Sequence, residues 1–180
     1  MPRYAAFLRG INVTGRRVKS DELKARFEDL GFPRVDVFRA SGNVILDAER
    51  ASPSRLTARI EEGLRAALGY EVATFLRTAD QVREIAAHQP FDRAQVESSG
   101  GRLQVAMLSK KPARRARESI LGLATDQDLL ALKDRELYWL PSGGTQDSSL
   151  DQKAIVRALG LMTFRTKNTV EEISRRYFAD

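Results

Sequence analysis

Two short stretches hold most of the polar chemistry that this sequence places at turns. One is Arg9-Gly10-Ile11-Asn12-Val13-Thr14-Gly15, followed closely by Arg16, Arg17 and Lys19; the other is Ser41-Gly42-Asn43. A glycine on each side of a small polar loop lets the backbone turn sharply and approach another group. Exposed backbone N–H groups, a helix start near Ser20 and several cations together suit a phosphate or a carboxylate. Asn12, Ser41 and Asn43 add neutral hydrogen-bonding groups. A competing reading has both asparagines bonding their own backbones in turns, with Arg9 paired to a carboxylate.

Other chemistries are poorly served. There is no cysteine and a single histidine, His88. Disulfides, thiol nucleophiles and thiolate metal sites are therefore absent, and neither a zinc or iron centre nor any cofactor is expected. His88 reads as an ordinary surface or capping histidine. The chain has no nucleophile-elbow, Walker or HExxH pattern. The glycine loop lacks the third glycine of a dinucleotide site, and the unit that follows it is not a parallel β-α-β.

The elements that must position these residues follow from periodicity. Residues 4–10 alternate as a strand. Ser20 is placed to cap a helix in which Leu23, Phe27 and Leu30 form one apolar stripe, closed by Gly31. Strands follow at 35–39 and 43–47, around a tight turn at Ala40-Ser41-Gly42. Ser52-Pro53 opens a helix striped by Leu56, Ile60, Leu64 and Leu68, ended by Gly69, and residues 70–77 form a fourth strand. This β-α-β-β-α-β order is the ferredoxin-like arrangement. Its first and third strands are antiparallel neighbours, so the 9–15 loop and the 41–43 turn should meet at one rim.

Thr78 and Gln81 have the spacing of a capping box and open a linking helix that stops before Pro90. Residues 91–102 read as irregular, most flexible at Ser98-Ser99-Gly100-Gly101. The second half repeats the order of elements: strand 103–108, helix from Pro112 to about 123, hairpin 128–133 and 136–140, a Gly- and Ser-rich loop, helix 150–159 and strand 161–165. Asn168, with Glu171 three residues on, is placed to cap a last helix. The expected organisation is α+β, with ferredoxin-like subdomains at 1–77 and 102–180, the latter carrying the C-terminal helix, and a linking helix and loop at 78–101. The repeat is one of element order, without a convincing repeat of residues.

Composition suits a globular chain, and no apolar run approaches the ~18 residues of a membrane helix. The N-terminal apolar run is too short for a signal peptide, so a cytoplasmic location is expected and no membrane partner. The net charge of +6 and pI near 9.9 favour anionic partners, nucleic acid among them, although acidic residues are interspersed throughout. A base-stacking sheet surface is not favoured: Phe7 lies on the first strand, but the third offers Ile45 and no aromatic.

The stretches Phe7-Leu8-Arg9-Gly10-Ile11-Asn12-Val13 and Ser41-Gly42-Asn43-Val44 resemble the signature of the domain of unknown function 1697 family. Pro141-Ser142-Gly143 with Ser148-Ser149-Leu150, and Thr163-Phe164-Arg165-Thr166-Lys167-Asn168-Thr169-Val170, are similar to its later patterns. Thr166 and Lys167 stand where Asn and Trp are usual, Ser149 where Lys is usual and Thr14 where Gly is usual. The resemblance implies a bacterial protein with two ferredoxin-like subdomains and no assigned activity, and singles out Arg9, Asn12, Ser41, Asn43, Arg165 and Asn168 as the matching polar positions.

Taken together, the sequence points to a metal-free module that binds an anionic ligand, such as nucleic acid or a phosphorylated or carboxylated small molecule. Its centre is Arg9, Asn12, Lys19, Ser41 and Asn43, with Arg165 and Asn168 as further candidates. One alternative is an enzyme acting by electrostatic positioning, with Arg9 or Arg165 as the anion's partner and no evident general base. The other is an interaction or structural protein in which these residues only hold turns.

Overall fold

A computed structural model of the chain describes residues 1–13, 15–100 and 102–179. Thr14 and Gly101, named above, lie outside them. The chain divides into two compact units, Met1–Arg83 with Ile173–Asp180, and Glu84–Glu172.

In the first unit the order is β1 (Arg3–Arg9), α1 (Ser20–Asp29), β2 (Val35–Val37), β3 (Asn43–Asp47), α2 (Pro53–Leu68), β4 (Ala73–Thr78) and α3, which runs on as Ala79–Ala87. The strands form one antiparallel sheet in the order β2-β3-β1-β4. Alternate residues of the central strands, Tyr4, Ala6, Leu8, Val44 and Leu46, cluster with Leu23 and Phe27 of α1 and with Leu56, Ile60 and Leu64 of α2. Each Leu, Ile, Val or Phe side chain among them contributes about 1.5–3 kcal/mol when fully buried. The strand period of two and the helical stripe read from sequence thus meet in one core. The opposite sheet face is buried as well: Ala5, Phe7, Ile45, Phe75 and Arg77 are all at most 3% exposed. Phe7 and Phe75 are therefore not offered to solvent as platforms for bases.

The second unit contains α4 (Arg93–Ser98), β5 (Gln104–Leu108), α5 (Arg114–Leu121), β6 (Asp128–Lys133), β7 (Glu136–Pro141), α6 (Gln152–Leu159) and β8 (Met162–Thr166), and α7 (Lys167–Tyr177) follows. Its antiparallel sheet has the equivalent order, β6-β7-β5-β8. Ala106, Leu108, Leu137, Trp139 and Met162 cluster with Ile120 of α5 and with Ile155 and Leu159 of α6. The fold is α+β, with two four-stranded sheets in ferredoxin-like order.

Several local readings are corrected. Ser20 is the first helical residue of α1, whose N-cap is Lys19 with no side-chain cap bond. β4 begins at Ala73 rather than Tyr70. Residues 91–102 contain a helix, α4, opened by a capping box between Asp92 and Gln95. The cap of α6 is Asp151, whose side chain accepts from the Ala154 N–H at 2.9 Å. Thr166, not Asn168, caps α7: its Oγ1 accepts from the Thr169 N–H at 3.2 Å. The Thr78–Gln81 box is present in both directions.

A residue-level repeat also becomes visible once the strands are aligned. Leu76-Arg77-Thr78, Val82 and Glu84-Ile85 correspond to Phe164-Arg165-Thr166, Val170 and Glu172-Ile173. Arg77 stands opposite Ala5, and Arg165 opposite Val105, at matching register. Each arginine is buried and donates from NH1 to the carbonyl of the residue before it, at 2.9 and 2.7 Å. Each following threonine caps the next helix, and Val82, Ile85, Val170 and Ile173 are the buried apolar residues of those helices.

Candidate functional site

The rim anticipated from topology forms in the first unit. The β1–β3 register pairs Phe7 with Asn43, which sets the end of β1 beside the start of β3. The loop after β1 and the turn between β2 and β3 are then tied together. Leu8 donates its N–H to Gly42 O at 2.8 Å. Asn12 donates Nδ2–H to Ala40 O at 2.5 Å, and its Oδ1 accepts from the Val18 N–H at 2.7 Å. Asn12 thus spends both ends of its amide on backbone, bracing the loop to the turn and to the approach to α1.

Gly42 is required here for two reasons. Its φ is +73°, and an added Cβ would stand 2.8 Å from Ile11 Cγ2 and 3.1 Å from Leu8 Cβ. Asn43 is buried at 1% exposure and donates to Phe38 O at 3.0 Å and Ser41 Oγ at 2.8 Å. Its amide holds the turn from inside and is not presented outward. Ser41 itself is exposed.

Two groups that the sequence reading did not single out complete the rim. Tyr70 OH donates to Ile11 O at 3.2 Å, while the Arg16 guanidinium lies 4.3 Å over the Tyr70 ring. Arg39 has φ +59°, unusual for a residue with a side chain, and stacks 4.9 Å over Phe38. Neither has a sequence signal: Tyr70 meets the loop only through tertiary folding, and a left-handed arginine follows no turn rule.

The electrostatics of the rim are one-sided. Arg9, Arg17 and Lys19 are exposed, and among the described residues their side chains have no hydrogen-bond or ion-pair partner. The reading in which Arg9 pairs with a carboxylate is not what is found. Arg26 and Arg3 of this unit, by contrast, pair with Glu22 and Asp47. Asp21 and Glu22 occupy the first turn of α1 and already complement its positive end. An anion at this rim would therefore meet the loop cations before the helix terminus.

Arg165 and Asn168 belong to the second unit. Arg165 is 9% exposed, donates to Thr163 Oγ1 at 2.9 Å and to Phe164 O, and burial lowers its pKa to about 10, leaving it cationic at neutral pH. Asn168 is exposed and donates to Glu172 Oε1 at 2.8 Å. His88 lies with its ring 4.9 Å from that of Tyr138. Among the described residues no group of three or more His, Asp or Glu side chains is placed to hold a metal ion, and no helix is long and apolar enough to cross a membrane.

Comparison with known proteins adds two findings. The model of a family described as protein of unknown function (DUF1697) matches residues 1–138. Among solved structures, a conserved bacterial protein, SP0830 from Streptococcus pneumoniae, is similar over 97% of each chain, with a TM-score of 0.77 and 17% sequence identity. At that identity the likeness speaks for the fold alone. None of the curated proteins compared matches the chain.

Proposed function

The chain belongs to the DUF1697 family of proteins of unknown function, and from the rim geometry we propose that it binds an anionic, phosphate-bearing ligand there, with the nucleic-acid backbone as the leading candidate. The observation that carries this reading is the set of three exposed cations, Arg9, Arg17 and Lys19, without partners among the described residues and beside residues braced by Asn12, Gly42 and Tyr70. A braced loop holds its cations without ordering them anew on binding, which lowers the entropic cost of association. Asn12 and Asn43 act here as braces rather than as contacts, since their amide groups are committed to the protein. With the sheet aromatics buried, recognition rests on phosphates and is insensitive to base sequence.

The test is an anisotropy titration against single- and double-stranded DNA and RNA across a range of salt. Binding weakens linearly in log–log form, because each phosphate contact releases counterions. Alanine at Arg9, Arg17 and Lys19 together reduces the slope by about 0.9 for each contact removed on duplex DNA. A control with alanine at the exposed Arg115, Lys153 and Arg157 lowers the net charge equally and leaves the slope nearly unchanged. Equal losses in the two variants, or binding indifferent to salt, would overturn the reading.

A further inference from the structure

The second unit holds a cavity of about 360 Å³ between the end of α4 and the β6–β7 edge of its sheet. That volume falls in the range of small-molecule sites, ~300–1,000 Å³. Its chemistry is unlike that of the rim. Leu129 and Leu140 supply apolar surface; Gln95, Ser98 and Gln127 supply amide and hydroxyl groups; among the described residues Asp126 is the single charged residue lining it, and no cation does.

The walls are held in place by the protein itself. Ser99 Oγ donates to Pro141 O at 2.6 Å, Ser142 Oγ to Gln127 Oε1 at 2.7 Å, and the Ser142 N–H to Gln127 O at 2.7 Å. Gly100 comes so close to Ser142 that an added Cβ would stand 2.6 Å from its carbonyl oxygen. With its Oε1 engaged, Gln127 has its NH₂ group left to donate. Asp126 is exposed and has no hydrogen-bond or ion-pair partner among the described residues.

We propose that this cavity is a binding site for a small polyhydroxylated ligand carrying one ammonium group, of the amino-sugar class. The ring's C–H face lies on Leu129 and Leu140. Its hydroxyls exchange hydrogen bonds with Gln95, Ser98 and Gln127, and the ammonium meets the Asp126 carboxylate. Neutral hydroxyls find both donors and acceptors in this lining, whereas a phosphate would find no cation and one repelling carboxylate.

The test is an NMR titration of the full-length, isotope-labelled protein with glucosamine, glucose and glucose 6-phosphate at millimolar concentrations. Glucosamine should shift the amide signals of Gln95, Ser98, Gln127 and Leu129 and bind more tightly than glucose, with the phosphate ester weakest. Asp126→Asn should reduce glucosamine affinity about tenfold, as for loss of one charge-assisted hydrogen bond, and bring it to the level of glucose. Ser98→Trp, at an exposed helix end, should fill the cavity and abolish both. No shift of cavity signals with either sugar, equal affinity for both sugars, or glucosamine binding unchanged in Asp126→Asn would each overturn the proposal.

Discussion

At the scale of single residues, the rim depends on one glycine far more than on the others around it. Gly10 and Gly42 have nearly the same left-handed φ, +74° and +73°, but a Cβ at Gly10 would meet nothing within 4 Å while one at Gly42 would collide with Ile11 and Leu8. Gly10→Ala therefore costs only backbone strain, ~1–2 kcal/mol. Gly42→Ala adds overpacking of about 1–3 kcal/mol, and it separates the turn from the loop. Urea unfolding of the two variants should rank them in that order, and equal losses would show that the close approach does not matter. Residue type was a good guide to Gly42 and to the positions that converge on it. It was a poor guide to what each amide does. Asn12 and Asn43 look alike in sequence, yet one bridges two loops and the other points into its own turn, a distinction set by the β1–β3 register and not by either residue's neighbours.

Among the elements, the clearest regularity is the threonine that ends β4 and the one that ends β8, each capping the helix after it. Thr78→Ala and Thr166→Ala should each cost ~1 kcal/mol in chemical unfolding, the usual worth of an N-cap. Asn168→Ala, removing only an exposed contact with Glu172, should stay within about 0.5 kcal/mol of wild type. A larger loss for Asn168 than for Thr166 would restore Asn168 as the cap. Long amphipathic helices and paired strands were legible because their apolar periods are sustained: the Leu56–Leu64 stripe and the 128–140 hairpin needed no tertiary information. Short elements were not. α4 has six residues and no buried one, so no stripe announces it, although Asp92 and Gln95 stand at capping-box spacing. The repeat around Arg77 and Arg165 is not legible from sequence alone, because only six positions carry it and strand register is needed to align them.

Considered as a whole molecule, the chain offers one histidine through which its response to pH can be tested. With cysteine absent, histidine is the side-chain type that ordinarily titrates near neutral pH, and here that is His88 alone. The imidazole is pushed below its ordinary pKa by burial first, and then by Lys133 and Lys167. Protonation is therefore harder in the folded chain than in the unfolded one. Between the lowered value and the unfolded pKa of ~6.5, the unfolded state binds more protons, so stability rises with pH across that window. Stability from this source is complete above about pH 6.5 and declines as pH falls through the window. Urea unfolding at closely spaced pH should show that decline in wild type. His88→Gln, which cannot take up a proton, should flatten it. A slope that persists unchanged in the variant would mean that carboxylates already govern the near-neutral stability of this protein and that His88 is indifferent to its two lysine neighbours.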